Sequence, residues 1–245
     1  MKKVILLFMS ILFLSCEEID NDTNIVCTEN CTHIEGQILT KDQLPVKNVE
    51  LIVSFQKSTG TNSIYTRKIA KAKTDVNGHY SMDFYLKDEE LGESFGGLEI
   101  YMKQNTIASK YFYPNRFNLF EGLNINDRNI SLTKNIYLPT KKDIKVKLQN
   151  FTPIQNGDYF EVQLYVPCGF ENSEISSITG NYHKYVTKGI NFYRLNSPSQ
   201  IFTIDAALDE INYVVLVRMK NGVYTEETIP VSVDENSNTV LTYDY

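Results

Sequence analysis

From Val49 to Phe55 the chain alternates. Val49, Leu51, Val53 and Phe55 are apolar, while Glu50, Ser54 and Gln56 among them are polar. Period two marks a strand with one buried face, because successive side chains on a pleated backbone point to opposite sides. The same rhythm recurs at Tyr80, Met82, Phe84 and Leu86, and again at Leu98, Ile100 and Met102. Turn-forming stretches separate these runs: KDQLP at 41–45, KSTGTN at 57–62 and DVNG at 75–78. No helical period is sustained anywhere, and the best short helix is KDEEL at 87–91.

The pattern restarts near YLPTKKD at 137–143. Ile144, Val146 and Leu148 alternate with polar neighbours, as do Phe160, Val162, Leu164 and Val166. Tyr213, Val215, Val217 and Met219 lead to Asn221-Gly222, the strongest short hairpin signal in the chain, and the return runs through VYTEETIPVSV at 223–233. Pro230 has no N–H for a ladder, so it is expected at a strand edge or bulge. TVLTYDY at 239–245 reads as a last strand. The prediction is an all-β chain of two tandem antiparallel β-sandwich domains, residues 33–138 and 139–245. At about 105 residues each, both are large enough for a single core.

The beginning of the chain follows different rules. Lys2 and Lys3 precede VILLFMSILFL at 4–14, a run shorter than the roughly 20 apolar residues of a bilayer span but suited to a signal-peptide core. Phe13-Leu14-Ser15-Cys16 resembles a bacterial lipobox, although the family usually has Leu at the place of Phe13 and often a smaller residue at that of Leu14. The resemblance implies removal of residues 1–15 and lipidation of Cys16, which would make the membrane a partner. Two or more acyl chains anchor stably where one does not. Residues 16–32 then form an acidic tether, with Glu17, Glu18, Asp20 and Asp22 and no base before Lys41. That stretch resembles the export signal of Bacteroidetes surface lipoproteins and implies an outer-membrane, surface-exposed location. The plainer reading is a solvated linker kept extended by its own charge, on a protein at the periplasmic face.

Charge removes one class of partner. The formal charge is −6, and it becomes −8 once Lys2 and Lys3 leave. Phosphate backbones repel such a surface, so nucleic acid is not an expected partner. Outside the cytoplasm Cys27 and Cys31 are expected to form a disulfide, although pairing of either with Cys168 stays open. Together with His33 they make a C-x3-C-x-H cluster, a nonstandard spacing for zinc, and no metal is expected.

Gly36, Leu44-Pro45, VKNVELIV at 46–53, Thr74-Asp75, Asn77-Gly78 and Tyr80 together resemble the carboxypeptidase regulatory-like domain. The likeness is strongest over about 50 residues. It implies a transthyretin- or Ig-like β-sandwich and no activity. Asn77-Gly78 supplies the left-handed backbone of a tight hairpin, and Tyr80 begins the strand returning to the core.

Catalytic motifs fail on context. GESFG at 92–96 matches the nucleophile elbow, but that elbow needs a strand before Ser94 and a helix after it, and the order here is reversed. His183 is the one histidine that follows it. DVNG places its glycine too early for an EF-hand loop. His33, His79 and His183 have no metalloprotease spacing, and neither a P-loop nor a dinucleotide fingerprint is present, so no cofactor is expected.

Aromatic residues are the remaining lead, with 16 Tyr and 13 Phe but no Trp. YFYPNRF at 111–117 sets Tyr111 and Tyr113 beside Asn115 and Arg116, groups suited to anchoring a protein partner or stacking on a polysaccharide. A second cluster, HKYVTKGINFYRL at 183–195, adds Tyr185, Phe192 and Tyr193. Against this, aromatics in β proteins mostly fill cores and cross-strand pairs. The functional expectation is a non-catalytic, lipid-anchored envelope protein that binds or scaffolds. Alternatives are a surface-assembly subunit resembling Bacteroidetes fimbrilins, which polymerise by strand addition with TVLTYDY as a possible donor, and a glycan-binding lipoprotein.

Overall fold

The computed structural model describes residues 17–60, 63–92, 96–113, 120–152, 157–171, 187–236 and 240–245. Among these described residues nine strands precede Pro139: β1 (Glu17–Asn21), β2 (Thr32–Leu39), β3 (Glu50–Gly60), β4 (Ser63–Lys73), β5 (His79–Phe84), β6 (Gly96–Met102), β7 (Phe120–Leu123), β8 (Ser131–Thr133) and β9 (Ile136–Tyr137). Eight of the described strands follow it: β10 (Lys141–Gln149), β11 (Tyr159–Val166), β12 (Gly169–Phe170), β13 (Thr187–Arg194), β14 (Gln200–Ala207), β15 (Glu210–Lys220), β16 (Val223–Val233) and β17 (Val240–Asp244). Helical structure among the described residues is confined to three single 3-10 turns.

The chain is all-β, in sandwich layers. One sheet has the order β1-β4-β3-β6-β7 and another β12-β9-β2-β5, with β8 also pairing to β2. The later strands form sheets β14-β10-β17 and β13-β11-β15-β16. The alternation explains the core: Val49, Leu51, Val53 and Phe55 are buried, as are Tyr80, Met82, Phe84 and Leu86, and Ile144, Val146 and Leu148. These side chains belong to one apolar cluster that extends through both sets of sheets.

Four departures from the sequence reading have physical causes. First, the sheets are mixed, because β1 on β4, β17 on β10, and β8 and β9 on β2 all run parallel. Second, residues 17–21, expected within a tether, are strand β1, paired from Glu17↔Ile64 to Asn21↔Lys68. Third, β12 lies after Pro139 yet pairs with β9, so the later part of the chain completes an early sheet. Fourth, the DVNG turn joins two different sheets, since β4 and β5 do not pair; only Gly78 of its last two residues has a positive φ, 75°. Asn221-Gly222, by contrast, forms the expected tight hairpin, with φ of 52° and 76° between the paired Lys220 and Val223.

In β15 the apolar run faces both ways. Val214 and Leu216 enter the main core, while Val215 and Val217 form a small cluster with Tyr165 on the opposite face. Gly36 has a simpler explanation. A Cβ there would lie 2.0 Å from the Lys134 carbonyl oxygen, to which the Tyr80 hydroxyl donates a hydrogen bond of 2.5 Å. Only a residue without a side chain lets the backbone pass this close.

β1 is held by charge. Arg67 on β4, its side chain 6% exposed, donates to Asp22 at 2.6 Å and to both oxygens of Glu90 at 2.7 and 2.5 Å. Tyr65 donates to Asp20 at 2.8 Å. Glu90 lies in KDEEL, where the expected short helix is a single 3-10 turn, Asp88–Glu90, and the Glu90 side chain is 1% exposed. Removing one partner of a buried ion pair strands the other. Glu90→Ala should therefore cost about 3–5 kcal/mol in urea unfolding, and Asp22→Asn, at a more exposed position, about 1–2 kcal/mol.

Candidate functional site

A cleft lies where the early and late sheets meet. It encloses about 530 Å³ between Gln37 and Leu39 at the end of β2, the turn 40–43, Asn135 to Tyr137, Pro167, Glu171 and Glu210. The turn is tight because Asp42 and Gln43 both have φ of 60°. Leu39, Ile136 and Pro167 supply apolar lining, and Gln37, Asn135, Glu171 and Glu210 supply amide and carboxylate groups.

Hydrogen bonds across the cleft hold its sides in register. Gln37 N–H donates to Asn135 Oδ1 at 3.1 Å, Asn135 Nδ2 donates to Glu171 Oε2 at 2.7 Å, and Glu171 N–H returns to the Asn135 carbonyl at 2.8 Å. Tyr137 O–H donates to Glu210, and Lys41 Nζ reaches the Asp209 carbonyl at 3.1 Å. The cleft is thus a polar clasp between β2, β9, β12 and the start of β15. A neighbouring cleft of about 540 Å³ on the outer side of β2 and β5 shares Gln37 and Asn135 with it. Both volumes fall within the usual range of ligand sites. The polar groups of the junction cleft are Gln37, Lys41, Asn135, Tyr137, Glu171 and Glu210, which suit it to hydrogen bonding and charge recognition. Sequence reading missed it, since Asn135, Glu171 and Glu210 lie far apart in the chain and form no motif.

The sequence candidates fall elsewhere. In YFY the strand-like alternation sends Phe112 into the core, fully buried, and leaves Tyr111 and Tyr113 half-buried. The two tyrosines line a cleft of about 170 Å³ with Ile107, Lys141 and Asp205, below the usual size of a ligand site. Lys110 Nζ sits 4.9 Å from the Tyr111 ring centre. The segment is stitched to the linker by Phe112 N–H to the Pro139 carbonyl at 2.8 Å and Lys141 N–H to the Lys110 carbonyl at 2.8 Å. Asn115, Arg116, Ser94, His183 and Cys16 lie outside the described residues.

Cys27 and Cys31 are joined in a disulfide, and Cys168 is buried in the core. His33 turns away from that bridge to Asp83 at 2.8 Å and Glu35 at 3.4 Å, so the C-x3-C-x-H residues do not assemble as metal ligands. Among the described residues no group of three or more His, Cys, Asp or Glu is placed to hold a metal. The hydrogen bond to Asp83 raises the His33 pKa above its ordinary value, against a smaller opposing effect of burial.

No family model matches the chain, and no curated protein is similar to it. Solved structures similar to it include the shaft pilin SpaA from Lactobacillus rhamnosus GG, at 8% identity and TM-score 0.31, covering 87% of this chain and 96% of that one. The Bacillus anthracis TIE protein is similar at 10% identity and TM-score 0.30, and the 88% of this chain that aligns spans 33% of its length. A putative cell adhesion protein from Bacteroides fragilis NCTC 9343 gives 9% identity and TM-score 0.23, over 87% and 91% of the two chains. At these scores the likeness carries no argument about function.

Beside the tyrosine cleft, Asp143 on β10 stands directly opposite Asp205 on β14. Their shared hydrogen bond raises the Asp143 pKa, with burial and mutual repulsion adding to it. A raised carboxyl pKa favours the folded state at low pH and penalises it once pH rises through the folded value. Asp143→Asn should therefore raise the thermal midpoint at pH 7, and the advantage should vanish below about pH 4.

Proposed function

We propose that this chain is a non-enzymatic module of the cell envelope, lipid-anchored through Cys16 at the outer membrane, that binds or scaffolds a protein or polysaccharide partner at the surface. One observation carries the reading. The acidic stretch after Cys16 is already strand β1, hydrogen-bonded to β4 from Glu17 onward. A lipid on Cys16 would be attached one residue before that strand begins. Asp20 and Asp22, which the export-signal resemblance reads as address, are engaged by Tyr65 and Arg67. The division at Pro139 and the carboxypeptidase regulatory-like character of the first sandwich belong to the same proposal. The close fit around Gly36 and the glycine turn at Gly78 support it.

Surface assembly by strand addition is the second reading, and it gains from the outer edge of β16, along which no strand pairs among the described residues. The terminal strand is less suited as donor. β17 pairs with β10, Tyr245 packs 4.8 Å from the Phe151 ring, and its hydroxyl donates to the Met219 carbonyl. Deleting residues 239–245 should lower the unfolding midpoint, whereas a stable truncation that ceases to self-associate in size-exclusion chromatography would favour the donor role.

The anchor is tested by growth with radiolabelled palmitate. Label is expected in the wild-type protein and absent from Cys16→Ala; equal labelling of both would contradict a lipid at that position.

A further inference from the structure

β16 is eleven residues long and pairs on one side with β15; among the described residues no strand pairs along its other side. Val223 and Tyr224 are 62% and 51% exposed. Which of its backbone groups face outward follows from the register. In a two-residue hairpin the flanking pair, here Lys220↔Val223, exchanges both hydrogen bonds, and bonded and non-bonded pairs then alternate. The odd-numbered residues from Val223 to Val233 therefore bond to β15. Tyr224, Glu226, Thr228, Pro230 and Ser232 direct their backbone groups to the open side. Pro230 falls on a non-bonded pair with Tyr213, so its missing donor costs the ladder nothing and instead interrupts the free edge. Between Tyr224 and Thr228 three consecutive N–H and C=O pairs remain available, enough for a short added strand.

Self-pairing along this window is disfavoured. Antiparallel registers centred on Glu226 or Glu227 set a glutamate against its own copy, and like charges directly opposite destabilise a sheet. Registers centred on Thr228 or Ile229 bring Pro230 opposite a residue that needs a donor. The register centred on Thr225 carries Thr228 past the end of the partner strand. From 223 to 235 the strand and the residues after it hold Glu226, Glu227, Asp234 and Glu235 and no Lys or Arg. Glu226 accepts the Tyr224 hydroxyl at 2.5 Å, Glu227 meets Arg218 at 3.3 Å, and Lys142 Nζ donates to the backbone carbonyls of Asp234 and Glu235, beyond the window.

We infer that the open edge of β16, from Tyr224 to Thr228, is a docking site for an extended, basic segment of another protein, added as a further strand. The inference rests on the binding-module reading for the existence of a partner, and on the register and charge of β16 for its chemistry.

The test uses the full chain in detergent and a fluorescein-labelled peptide, KVKTKV, with EVETEV as its acidic counterpart. Anisotropy should report binding of the basic peptide alone, weakening as salt rises. Thr228→Pro removes an outward donor at a position equivalent to Pro230 and should reduce affinity roughly tenfold. Glu226→Lys combined with Glu227→Lys should reverse the preference between peptides, independently of how well the proline variant folds. In amide exchange, Tyr224, Glu226 and Thr228 should exchange fast in the free chain and slowly with peptide, while Thr225, Glu227 and Ile229 stay protected throughout. Three results would overturn the inference: protection of the even-numbered amides in the free chain, equal or absent binding of the two peptides, or self-association lost in Thr228→Pro. Failure of palmitate labelling would leave it standing, and failure of peptide binding would leave the anchor standing.

Discussion

A strand at the end of a sheet must dispose of the hydrogen-bonding groups on its outer side, and that constraint organises this fold. The small strands are explained by it. β1 covers part of β4, β17 covers β10, and β12 covers β9. Two of these covers run parallel, which no hairpin produces; they are supplied by the two ends of the described chain. β16 is managed differently, by acidic side chains and by a proline whose nitrogen faces out.

Covering β4 with an acidic strand creates an electrostatic problem, because Asp20 and Asp22 bring negative charge to a sheet edge. Arg67 resolves it from below. Its guanidinium, buried under the strand, takes Asp22 on one side and Glu90 on the other, so a single cation joins the beginning of the chain to the KDEEL turn. The planar fork of arginine suits this duty, since it bonds two carboxylates in fixed directions where a lysine would act as a point charge. The first strand and the KDEEL turn are thereby joined through one buried cation.

The two sets of sheets are likewise coupled. Asn135 binds β2, through Gln37, and Glu171 beyond β12 at the same time. Tyr137 to Glu210 and Lys41 to Asp209 span the same junction. These contacts line the junction cleft, and the apolar core runs on through both sets of sheets. A ligand or partner there would act on the relation between the sandwiches, while one at β16 would leave it alone.

The amino-acid sequence by itself determined the all-β class, the phase of most core strands, the hairpin at Asn221-Gly222 and the edge position of Pro230, because period two and turn chemistry are local. It also marked Tyr111 and Tyr113, but local pattern could not say that their cleft would be small. Tertiary structure alone decided that the acidic stretch is a strand, that Glu90 is buried against Arg67, that β12 crosses to the earlier sheet, and that Val214 and Leu216 rather than Val215 face the main core. In each of these cases the partner is distant along the chain, and a run that is apolar or charged on both sides has no phase of its own until another sheet lies against it.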